Sequence, residues 1–561
     1  MKKIFLTLCT ILLLCFAYAQ YSFQYVDTQQ VRKGIGKVRV DNAGNTIITG
    51  TFANSIVLGS FTLTNNIPGS DIPFIAKLQP DGSFAYAKEI NVVQVGNSPP
   101  STVTVYDMNA DGAGNAYVTG SFTGRITYGG STFTSVKNGP DYTPDVFVLK
   151  ISPSGSLVWG KVSGLNLDVP CSISKDAGKS VSIDNQGNVY VAAETVYKLL
   201  RNYICSSCSG VNVGPVLSQL SILKYNSSGT KLWQKDFLNN DAGYMCGFNP
   251  KMNGSYADGN NLYLTGYFYG SLTAGNVTLT SPNYSTSNLF LVELDANGNT
   301  IWGRSLAGAN SVGDNVYVSN NEVYLTGIIF QGTFNFGSHT LTNATGTKGF
   351  IARYSTNGTD LWAITPNGTT RGITRLPDGN LAALIGLARC CNNFWTMIKE
   401  ISPLDGSLID STVAVLDSGA KVSCSSGLAG TANGFLFSEN IAGSYQFGST
   451  TISSSHEPGN PNQDMILIKY TWPAPLGAHA ATLKTEYVYT LLVDPNPATD
   501  QIKIHTIDHK VLGAVTIYDM NGRVMYQNFI RSSEVVVDIH KFSGGMYYVK
   551  ADELCVKFMK Q

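Results

Sequence analysis

Residues 111–122, with the sequence DGAGNAYVTGSF, join a Gly-Asn turn to a strand of apolar and aromatic residues. Gly supplies the positive φ that tight turns need, while residues such as Tyr117 and Val118 favour strands. The same element recurs along the chain, with clear copies at Asp41, Asp184, Asp258 and Asp378 and weaker ones at Asn320 and Asn433. Seven copies of one turn and strand indicate a repeat architecture.

A second element repeats in step with the first. It consists of an apolar strand, a turn that contains Gly, and an aromatic residue four positions after that Gly. The pairs are Gly82 and Tyr86, Gly155 and Trp159, Gly229 and Trp233, Gly298 and Trp302, and Gly358 and Trp362. The sixth copy departs, with Asp410 at the aromatic position, and the seventh ends at Tyr470 without its last strand.

The missing last strand has a counterpart at the other end of the chain. Residues 21–27 alternate like an isolated strand and precede the first repeat, whose first strand is predicted at residues 38–41. A propeller closes its ring when an N-terminal strand completes the last blade, because both unpaired edges are then hidden. We therefore predict an all-β fold. Its main part, residues 20–470, is a seven-bladed β-propeller closed by the N-terminal strand, with a period of about 63 residues.

Loop lengths predict where a ligand binds. If each blade has four antiparallel strands, the two short repeated turns share one face and the long segments 122–144, 194–219 and 238–255 share the other. These segments read as irregular, and loops on rigid scaffolds carry function. We predict binding on this long-loop face through aromatic residues that stack on sugars or anchor a protein: Tyr142, Tyr203, Tyr244, Phe248, Tyr269 and Tyr284. Packing within the loops is the alternative role for each of them.

The start of the chain predicts export. Lys2 and Lys3 precede an apolar run over residues 4–16, and Ala17-Tyr18-Ala19 stands ahead of Gln20. This is the pattern of a signal peptide over residues 1–19, cleaved between Ala19 and Gln20. A permanent membrane anchor is the weaker alternative because the apolar run is shorter than a bilayer requires. A lipid attached at Cys15 is disfavoured because bulky Leu14 precedes it.

The composition is that of a soluble globular protein, with 43% hydrophobic residues in a chain of 561. Lys and Arg balance Asp and Glu at 38 each, and loss of Lys2 and Lys3 leaves 36 against 38. Phosphate binding needs a basic surface, so no nucleic-acid partner is expected.

Eight cysteines remain after removal of the signal peptide, and an exported protein meets an oxidising compartment. Seven of them fall in connections on the long-loop face: Cys171, Cys205, Cys208, Cys246, Cys390, Cys391 and Cys424. We expect disulfides that fasten the long loops. A zinc site formed by Cys205 and Cys208 together with Cys171 and Cys246 is the alternative, but structural zinc sites usually show two close pairs and only one is present.

No catalytic site can be identified in the sequence. His339 and His456 are the histidines of the repeat region, and no G-x-S-x-G or H-E-x-x-H motif occurs. Asp107-x-Asn109-x-Asp111-Gly112 matches half of a calcium loop, but Val118 stands where the bidentate carboxylate belongs. The alternative is that Asp111 is the turn residue of its repeat. We therefore expect neither a metal nor a cofactor.

The repeats resemble the bacterial SBBP-type β-propeller repeat. The resemblance rests on Gly114-Asn115, on Tyr117-Val118-Thr119-Gly120 and on the strand Asp145-Val146-Phe147-Val148-Leu149-Lys150. It covers most of residues 28–470 and implies the propeller fold. It implies no activity, because propellers host many functions.

A separate unit is predicted over residues 490–561, after a Pro- and Ala-rich linker at 471–489. Strands predicted at 501–505, 514–518, 534–539 and 546–550 suffice for a small β-sandwich. The unit resembles the type IX secretion C-terminal sorting domain at Pro495, Asn496, Pro497, Asp519, Gly522, Gly545, Tyr547 and Lys560. An accessory sandwich without a sorting role is the alternative.

The resemblance implies the type IX secretion machinery as a partner. It also implies passage through the periplasm of a Gram-negative bacterium to the cell surface or medium, and no membrane span is expected in the mature chain. We expect non-enzymatic binding or adhesion, with glycan or protein as the partner. The alternative is an extracellular hydrolase or lyase acting on polysaccharide, because such enzymes need only two well-placed carboxylates. A structural surface-layer component is the third reading.

Overall fold

The computed structural model describes part of the chain. The described residues are 22–24, 35–67, 70–94, 101–138, 141–164, 175–198, 216–239, 250–281, 285–306, 310–388, 394–417, 428–431, 434–441, 444–447, 450–453, 464–471, 491–506, 512–519, 523–551 and 554–561. The chain divides into two compact units, Met1–His479 and Ala480–Gln561.

The first half of the N-terminal unit contains twenty strands. They are β1 (Ser22–Gln24), β2 (Ile35–Val40), β3 (Thr46–Phe52), β4 (Ser55–Leu58), β5 (Phe61–Thr64), β6 (Ile72–Leu78), β7 (Phe84–Glu89), β8 (Asn91–Val93), β9 (Thr102–Ala110), β10 (Ala116–Thr123), β11 (Arg125–Tyr128), β12 (Ser131–Thr134), β13 (Lys137–Asn138), β14 (Asp141–Tyr142), β15 (Asp145–Ile151), β16 (Leu157–Ser163), β17 (Lys175–Ile183), β18 (Val189–Lys198), β19 (Val216–Tyr225) and β20 (Lys231–Leu238).

The second half of this unit continues with further strands. They are β21 (Lys251–Asp258), β22 (Asn261–Phe268), β23 (Ser271–Ala274), β24 (Val277–Thr280), β25 (Asn288–Leu294), β26 (Thr300–Ser305), β27 (Ser311–Ser319), β28 (Glu322–Ile329), β29 (Gly332–Phe336), β30 (His339–Asn343), β31 (Lys348–Ser355), β32 (Asp360–Ile364), β33 (Thr369–Arg375), β34 (Leu381–Ala388), β35 (Phe394–Ile401), β36 (Leu408–Asp417), β37 (Leu428–Thr431), β38 (Gly434–Ile441), β39 (Ser444–Phe447), β40 (Thr450–Ser453) and β41 (Asp464–Thr471).

Each repeat forms a sheet of four antiparallel strands. In chain order, sheets 1 to 6 are β2-β3-β6-β7, β9-β10-β15-β16, β17-β18-β19-β20, β21-β22-β25-β26, β27-β28-β31-β32 and β33-β34-β35-β36. Sheet 7 has the order β37-β38-β41-β1. Its fourth strand comes from the start of the chain, because Ser22 pairs with Lys469 and Gln24 with Leu467.

The first strand of each sheet packs against the first strand of the next, in the order β2, β9, β17, β21, β27, β33 and β37, and β37 also contacts β2. We call these seven the inner strands. The described residues form strands and turns and contain no helix, so the predicted all-β class is confirmed. The seven-bladed propeller with its closing strand stays a prediction.

Short β-hairpins form in one of the segments predicted to be irregular. Residues 122–144 include β11 to β14, and equivalent hairpins elsewhere in this unit are β4-β5, β23-β24, β29-β30 and β39-β40. Three hairpins pair with a strand of the preceding repeat or just after it: β23 with β20 and β39 with β36, the fourth strands of sheets 3 and 6, and β11 with β8, which follows sheet 1. The expectation of an irregular loop was therefore wrong for residues 122–144, where β11 finds backbone partners in β12 and in β8.

The repeated spacing of Gly and Trp joins one sheet to the next. Each Trp Nε1 donates to a carbonyl in the Gly turn of the following sheet: Trp159 to Ser227, Trp233 to Ala296, Trp302 to Thr356 and Trp362 to Pro403, at 2.9–3.0 Å. The turn glycine must be small as well as conformationally free. Gly358 has φ +77°, and a Cβ there would lie 2.7 Å from the Trp302 ring.

The middle strands of each sheet are the most buried. All seven residues of β6 and of β25 are buried, and tyrosines of the second strands pack on the tryptophans, such as Tyr263 on Trp302 at 6.3 Å. The polar tips of these tyrosines are satisfied locally. Tyr117 donates to Asp111 at 2.9 Å and Tyr190 to Asp184 at 3.1 Å, which explains why turn and strand recur together.

The C-terminal unit contains β42 (Leu491–Asp494), β43 (Gln501–Thr506), β44 (Gly513–Asp519), β45 (Val524–Ile530), β46 (Glu534–Asp538), β47 (Gly545–Ala551) and β48 (Leu554–Lys560). They form two sheets, β42-β43-β46 and β45-β44-β47-β48, around a core that includes Val515, Ile517 and Phe558. The four predicted strands are present, and β42, β45 and β48 add to them. Within the described residues, no helix has the length and apolar character to cross a membrane.

Candidate functional site

Six inner strands carry an extra residue at the same position. The registers shift by one residue around Gly36, Tyr106, Lys179, Asn253, Asp314 and Arg371, each opposite the same step of the neighbouring second strand. Such β-bulges re-aim side chains and are common beside functional sites. Repetition in six strands makes the bulge a feature of the architecture and not a local defect.

The bulge has a sequence signal that we did not use in predicting the site. In four of the six strands the bulged residue stands five positions before the Asp of the following turn, as Tyr106 precedes Asp111 and Lys179 precedes Asp184. The residue types vary from Gly to Tyr, Lys, Asn, Asp and Arg. The fold therefore presents six interchangeable side chains on one constant backbone frame, an arrangement suited to evolving a binding site.

Bulges place two consecutive residues towards the neighbouring inner strands. In β17, Ser180 Oγ donates to Asp107 Oδ2 at 3.0 Å, while the preceding Lys179 lies over the ring of Tyr106, with Nζ 3.6 Å from the centroid. Asp107 is buried and also lies 3.6 Å from the Lys37 ammonium and 3.8 Å from the Arg39 guanidinium. Polar groups of three sheets thus meet between the inner strands.

Charged and aromatic side chains from sheets 2, 3 and 4 gather around one buried carboxylate. We define the Lys179 cluster as Tyr106, Lys179, Glu194, Lys251, Tyr267 and Tyr269. Glu194 accepts from Lys251 Nζ at 2.9 Å and from the Met252 backbone N–H at 3.1 Å, and the Lys179 ammonium lies 4.0 Å away. The rings of Tyr267 and Tyr269 meet edge to face at 5.9 Å.

Burial and neighbouring charges shift the pKa of three groups in the cluster. Burial lowers the pKa of the Lys179 ammonium, Glu194 opposes this shift, and the second ammonium of Lys251 adds to it. Burial and the Glu194 charge raise the pKa of Tyr267. The pKa of Tyr269 is raised by burial and by Tyr267, and Lys251 acts in the opposite direction.

The two described residues among the six predicted binding aromatics lie in different surroundings. Tyr269 follows β22 and belongs to the Lys179 cluster. Tyr142 lies in β14, where Lys137 Nζ stands 4.7 Å from its ring centroid. Tyr203, Tyr244, Phe248 and Tyr284 lie outside the described residues. Lys179, Glu194 and Lys251 were not predicted, because their proximity depends on pairing between strands that are far apart in sequence.

The predicted disulfide and cleavage residues fall in other parts of the chain than the described ranges. Cys171, Cys205, Cys208, Cys246, Cys390, Cys391, Cys424, Ala19 and Gln20 lie outside the described residues. Within the described ranges no group of three or more His, Cys, Asp or Glu side chains is arranged to hold a metal ion. Asp107 and Asp111, taken from the partial calcium motif, have other partners: inner-strand groups for Asp107, and Asn115 and Tyr117 for Asp111.

Asp314 is the bulged residue of β27 and has an unusual environment. Burial raises the pKa of its carboxyl to about 7. The backbone at this bulge lies close to the neighbouring inner strand β21. A Cβ placed on Gly254 would be 3.1 Å from the Asp314 carbonyl oxygen and 3.1 Å from Asn315 Cα. The six bulged positions thus include a carboxyl group whose pKa is raised towards neutral pH.

In the C-terminal unit, the predicted sorting residues bring both ends of the unit together. Met559 N–H donates to Asn496 Oδ1 at 3.0 Å, and Ala498 pairs with Lys560 in a parallel bridge. Asn496 stands between Pro495 and Pro497, both preceded by cis peptide bonds. Tyr547 OH donates to the Ser543 carbonyl, and Gly545 has φ +152°. Asp519 pairs with Arg523, while Gly522 lies outside the described residues.

Comparison with known proteins gives weak structural neighbours for the whole chain. No curated protein matches it. Drosophila Semaphorin 2a is 7% identical with a TM-score of 0.36 and coverage of 97% of this chain and 99% of that one. The quinohemoprotein alcohol dehydrogenase ADHIIG from Pseudomonas putida HK5 is 10% identical, with a TM-score of 0.33 and coverage of 83% and 80%.

A third neighbour is PorZ, a surface component of the type-IX secretion system of Porphyromonas gingivalis, at 9% identity and a TM-score of 0.16, with coverage of 96% and 100%. These scores are too low to carry an argument about fold or activity. A family of known role matches one end of the chain. Residues 493–560 match the model of the secretion system C-terminal sorting domain.

Proposed function

We propose that this chain is a secreted or cell-surface β-propeller of the SBBP type that binds a glycan or protein, without catalysis, on its long-loop face. Seven four-stranded sheets and the continuous series of inner-strand contacts support the seven-bladed propeller. The pairing of β1 with β41 supports closure by the N-terminal strand. The propeller spans residues 20–470, between a signal peptide at 1–19 and a linker at 471–489.

The sorting domain supports secretion to the cell surface or extracellular space and implies contact with the type IX secretion machinery. We propose a route in two steps, with the signal peptide directing passage into the periplasm and residues 490–561 directing passage across the outer membrane. Deletion of residues 490–561 should trap the protein in the periplasm, as measured by cell fractionation. Surface display of the deletion variant would contradict this route.

The Lys179 cluster is the observation that supports a binding role. Two ammonium groups, one carboxylate and three phenol rings from three sheets converge at the end where the second strands finish. Rings and fixed charges on a rigid frame suit recognition, because little conformational entropy is lost on binding. The same end of each sheet leads into the long connections that were predicted to carry the binding face.

A binding assay with product analysis tests the proposed role. The purified protein would be applied to an array of microbial and plant glycans and to surface-protein extracts, with released products followed by mass spectrometry. Binding without turnover is expected. Release of shortened saccharides would replace this proposal with the polysaccharide-acting enzyme, and absence of both binding and products would favour a structural surface-layer component.

A further inference from the structure

The surroundings of the Lys179 cluster carry an excess of positive charge. Lys179 and Lys251 share Glu194, and the neighbouring Lys37 and Arg39 share Asp107. Four cationic groups thus face two carboxylates, in a chain whose Lys and Arg equal its Asp and Glu. Local charge of one sign between low-dielectric walls attracts a ligand of the opposite sign.

The two lysines retain capacity for a ligand. An ammonium group has three donor hydrogens. The Nζ of Lys179 lies 4.0 Å from Glu194 Oε2, a distance too long for a hydrogen bond between these two groups. The Lys251 side chain is 39% exposed and contacts Glu194 through one short hydrogen bond. A carboxylate approaching from solvent would find donors on both residues.

An aromatic surface lies beside these donors. Tyr106 is 38% exposed, and its ring holds Lys179 over one face. Tyr267 pairs with Lys251 between β21 and β22, and the ring of Tyr267 meets that of Tyr269 at 5.9 Å. Sugar rings stack on aromatic side chains through their apolar C–H faces while their hydroxyl groups bond to polar neighbours.

We propose that the Lys179 cluster binds an acidic polysaccharide, with Lys179 and Lys251 holding the carboxylate of a uronic acid residue and Tyr106 stacking on a sugar ring. This assignment rests on the proposed binding function and names the ligand class. Charge-assisted hydrogen bonds fix the carboxylate, and the ring fixes the orientation of the sugar plane. Glu194 orients both ammonium groups and is not itself a contact to the ligand.

The groups present favour a saccharide over an acidic peptide. Protein interfaces gain most of their affinity from apolar anchors that fill desolvated pockets. The cluster instead offers ring faces and ammonium groups. These groups match a ligand made of sugar rings that carry carboxylates.

Calorimetry on the purified full chain tests the assignment with oligogalacturonate, oligoglucuronate and alginate oligosaccharides as probes. We expect binding of at least one, loss of binding when its carboxyl groups are chemically reduced to alcohols, and weakening with rising salt. Lys179→Met and Lys251→Met should each weaken affinity about tenfold, and Tyr106→Ala by a similar factor. Lys251→Arg should bind within about threefold of the native protein, which separates loss of charge from misfolding.

Lys150→Met is the matched control, because Lys150 also stands over a tyrosine, 5.3 Å from the Tyr117 centroid, at the opposite end of its sheet. It should leave affinity unchanged. Equal binding of reduced oligosaccharides would overturn the acidic assignment and leave the binding function intact. Equal Lys179-dependent binding of poly-glutamate would overturn the saccharide assignment. Absence of binding to every uronate probe would overturn the assignment, whereas the glycan and protein array decides the binding function separately.

Discussion

At the scale of single residues, Trp302 shows how the repeat holds neighbouring sheets together. Its indole donates to the Thr356 carbonyl at 2.9 Å, packs on Tyr263 and covers Gly358 of the next sheet. One side chain therefore supplies apolar burial, a hydrogen bond and a contact that only Gly tolerates. The spacing of Gly and Trp could be predicted from the sequence. The partner of the Trp could not, because it belongs to the next repeat, more than fifty residues away.

Trp302→Ala should reduce the free energy of unfolding by about 3–5 kcal/mol, because a buried aromatic ring and its cavity are lost. Trp302→Phe keeps part of the packing and should recover part of this loss. Urea unfolding followed by circular dichroism measures both. Ile301→Ala is the matched control, since the adjacent Ile301 is 51% exposed and its removal should change stability by no more than about 0.5 kcal/mol. Equal losses for the two alanine variants would contradict the proposed role of the Trp.

Asp314 should make stability depend on pH. The folded protein raises the pKa of this carboxyl to about 7 through burial, well above the ordinary value of an Asp side chain. A raised carboxyl pKa contributes stability below the unfolded value and loses it as pH rises through the folded value. Asp314→Asn should therefore be more stable than the native protein by about 2 kcal/mol near pH 8, and this difference should vanish towards pH 4. Urea midpoints across this range measure the difference, and a constant difference at every pH would contradict the assignment.

At the scale of elements, the second and third strands of each sheet were the easiest to predict. They are continuous apolar runs, such as Phe290 to Leu294, between turns that contain Gly and Asn. The hairpins with strands of four or five residues were missed because these strands are short, and three of the hairpins also depend on pairing with a distant strand. The bulges were missed for a related reason. A bulge is defined by the register with the partner strand, which one strand's own sequence does not reveal.

The pairing of β1 with β41 predicts the effect of shortening the N-terminus. Deletion of residues 20–24 removes β1, the strand that pairs with Leu467, Ile468 and Lys469. The edge of β41 then loses its backbone hydrogen bonds to β1. The loss should be about 2–4 kcal/mol in unfolding free energy, with self-association through the exposed edge. Thermal unfolding and size-exclusion chromatography measure these effects. A synthetic peptide of residues 20–27 should reverse them, and a monomeric deletion variant of native stability would refute closure by β1.

At the scale of the whole molecule, the sequence already separates two units with different tasks. The repeats end at Tyr470 and the sorting motif begins near Pro495, and each unit has its own core. What could not be predicted was the site in the larger unit. The Lys179 cluster draws on β9, β17, β18, β21 and β22, and its charges meet because three sheets pack side by side. Tyr269 was predicted from its place in a long connection, whereas the lysines lie in inner strands that looked structural.

The distribution of tryptophan allows the two units to be followed separately. All six tryptophans of the chain precede residue 473, so their fluorescence reports on the N-terminal unit, whereas circular dichroism reports on both. Ile517 is fully buried in the C-terminal core, and Ile517→Ala should destabilise that unit by about 2–5 kcal/mol. The change should appear in circular dichroism and leave the fluorescence transition in place. Val524→Ala, at a residue that is 50% exposed in the same unit, should leave both transitions unchanged. A shift of the fluorescence transition in Ile517→Ala, as large as the shift in circular dichroism, would show that the two cores unfold as one.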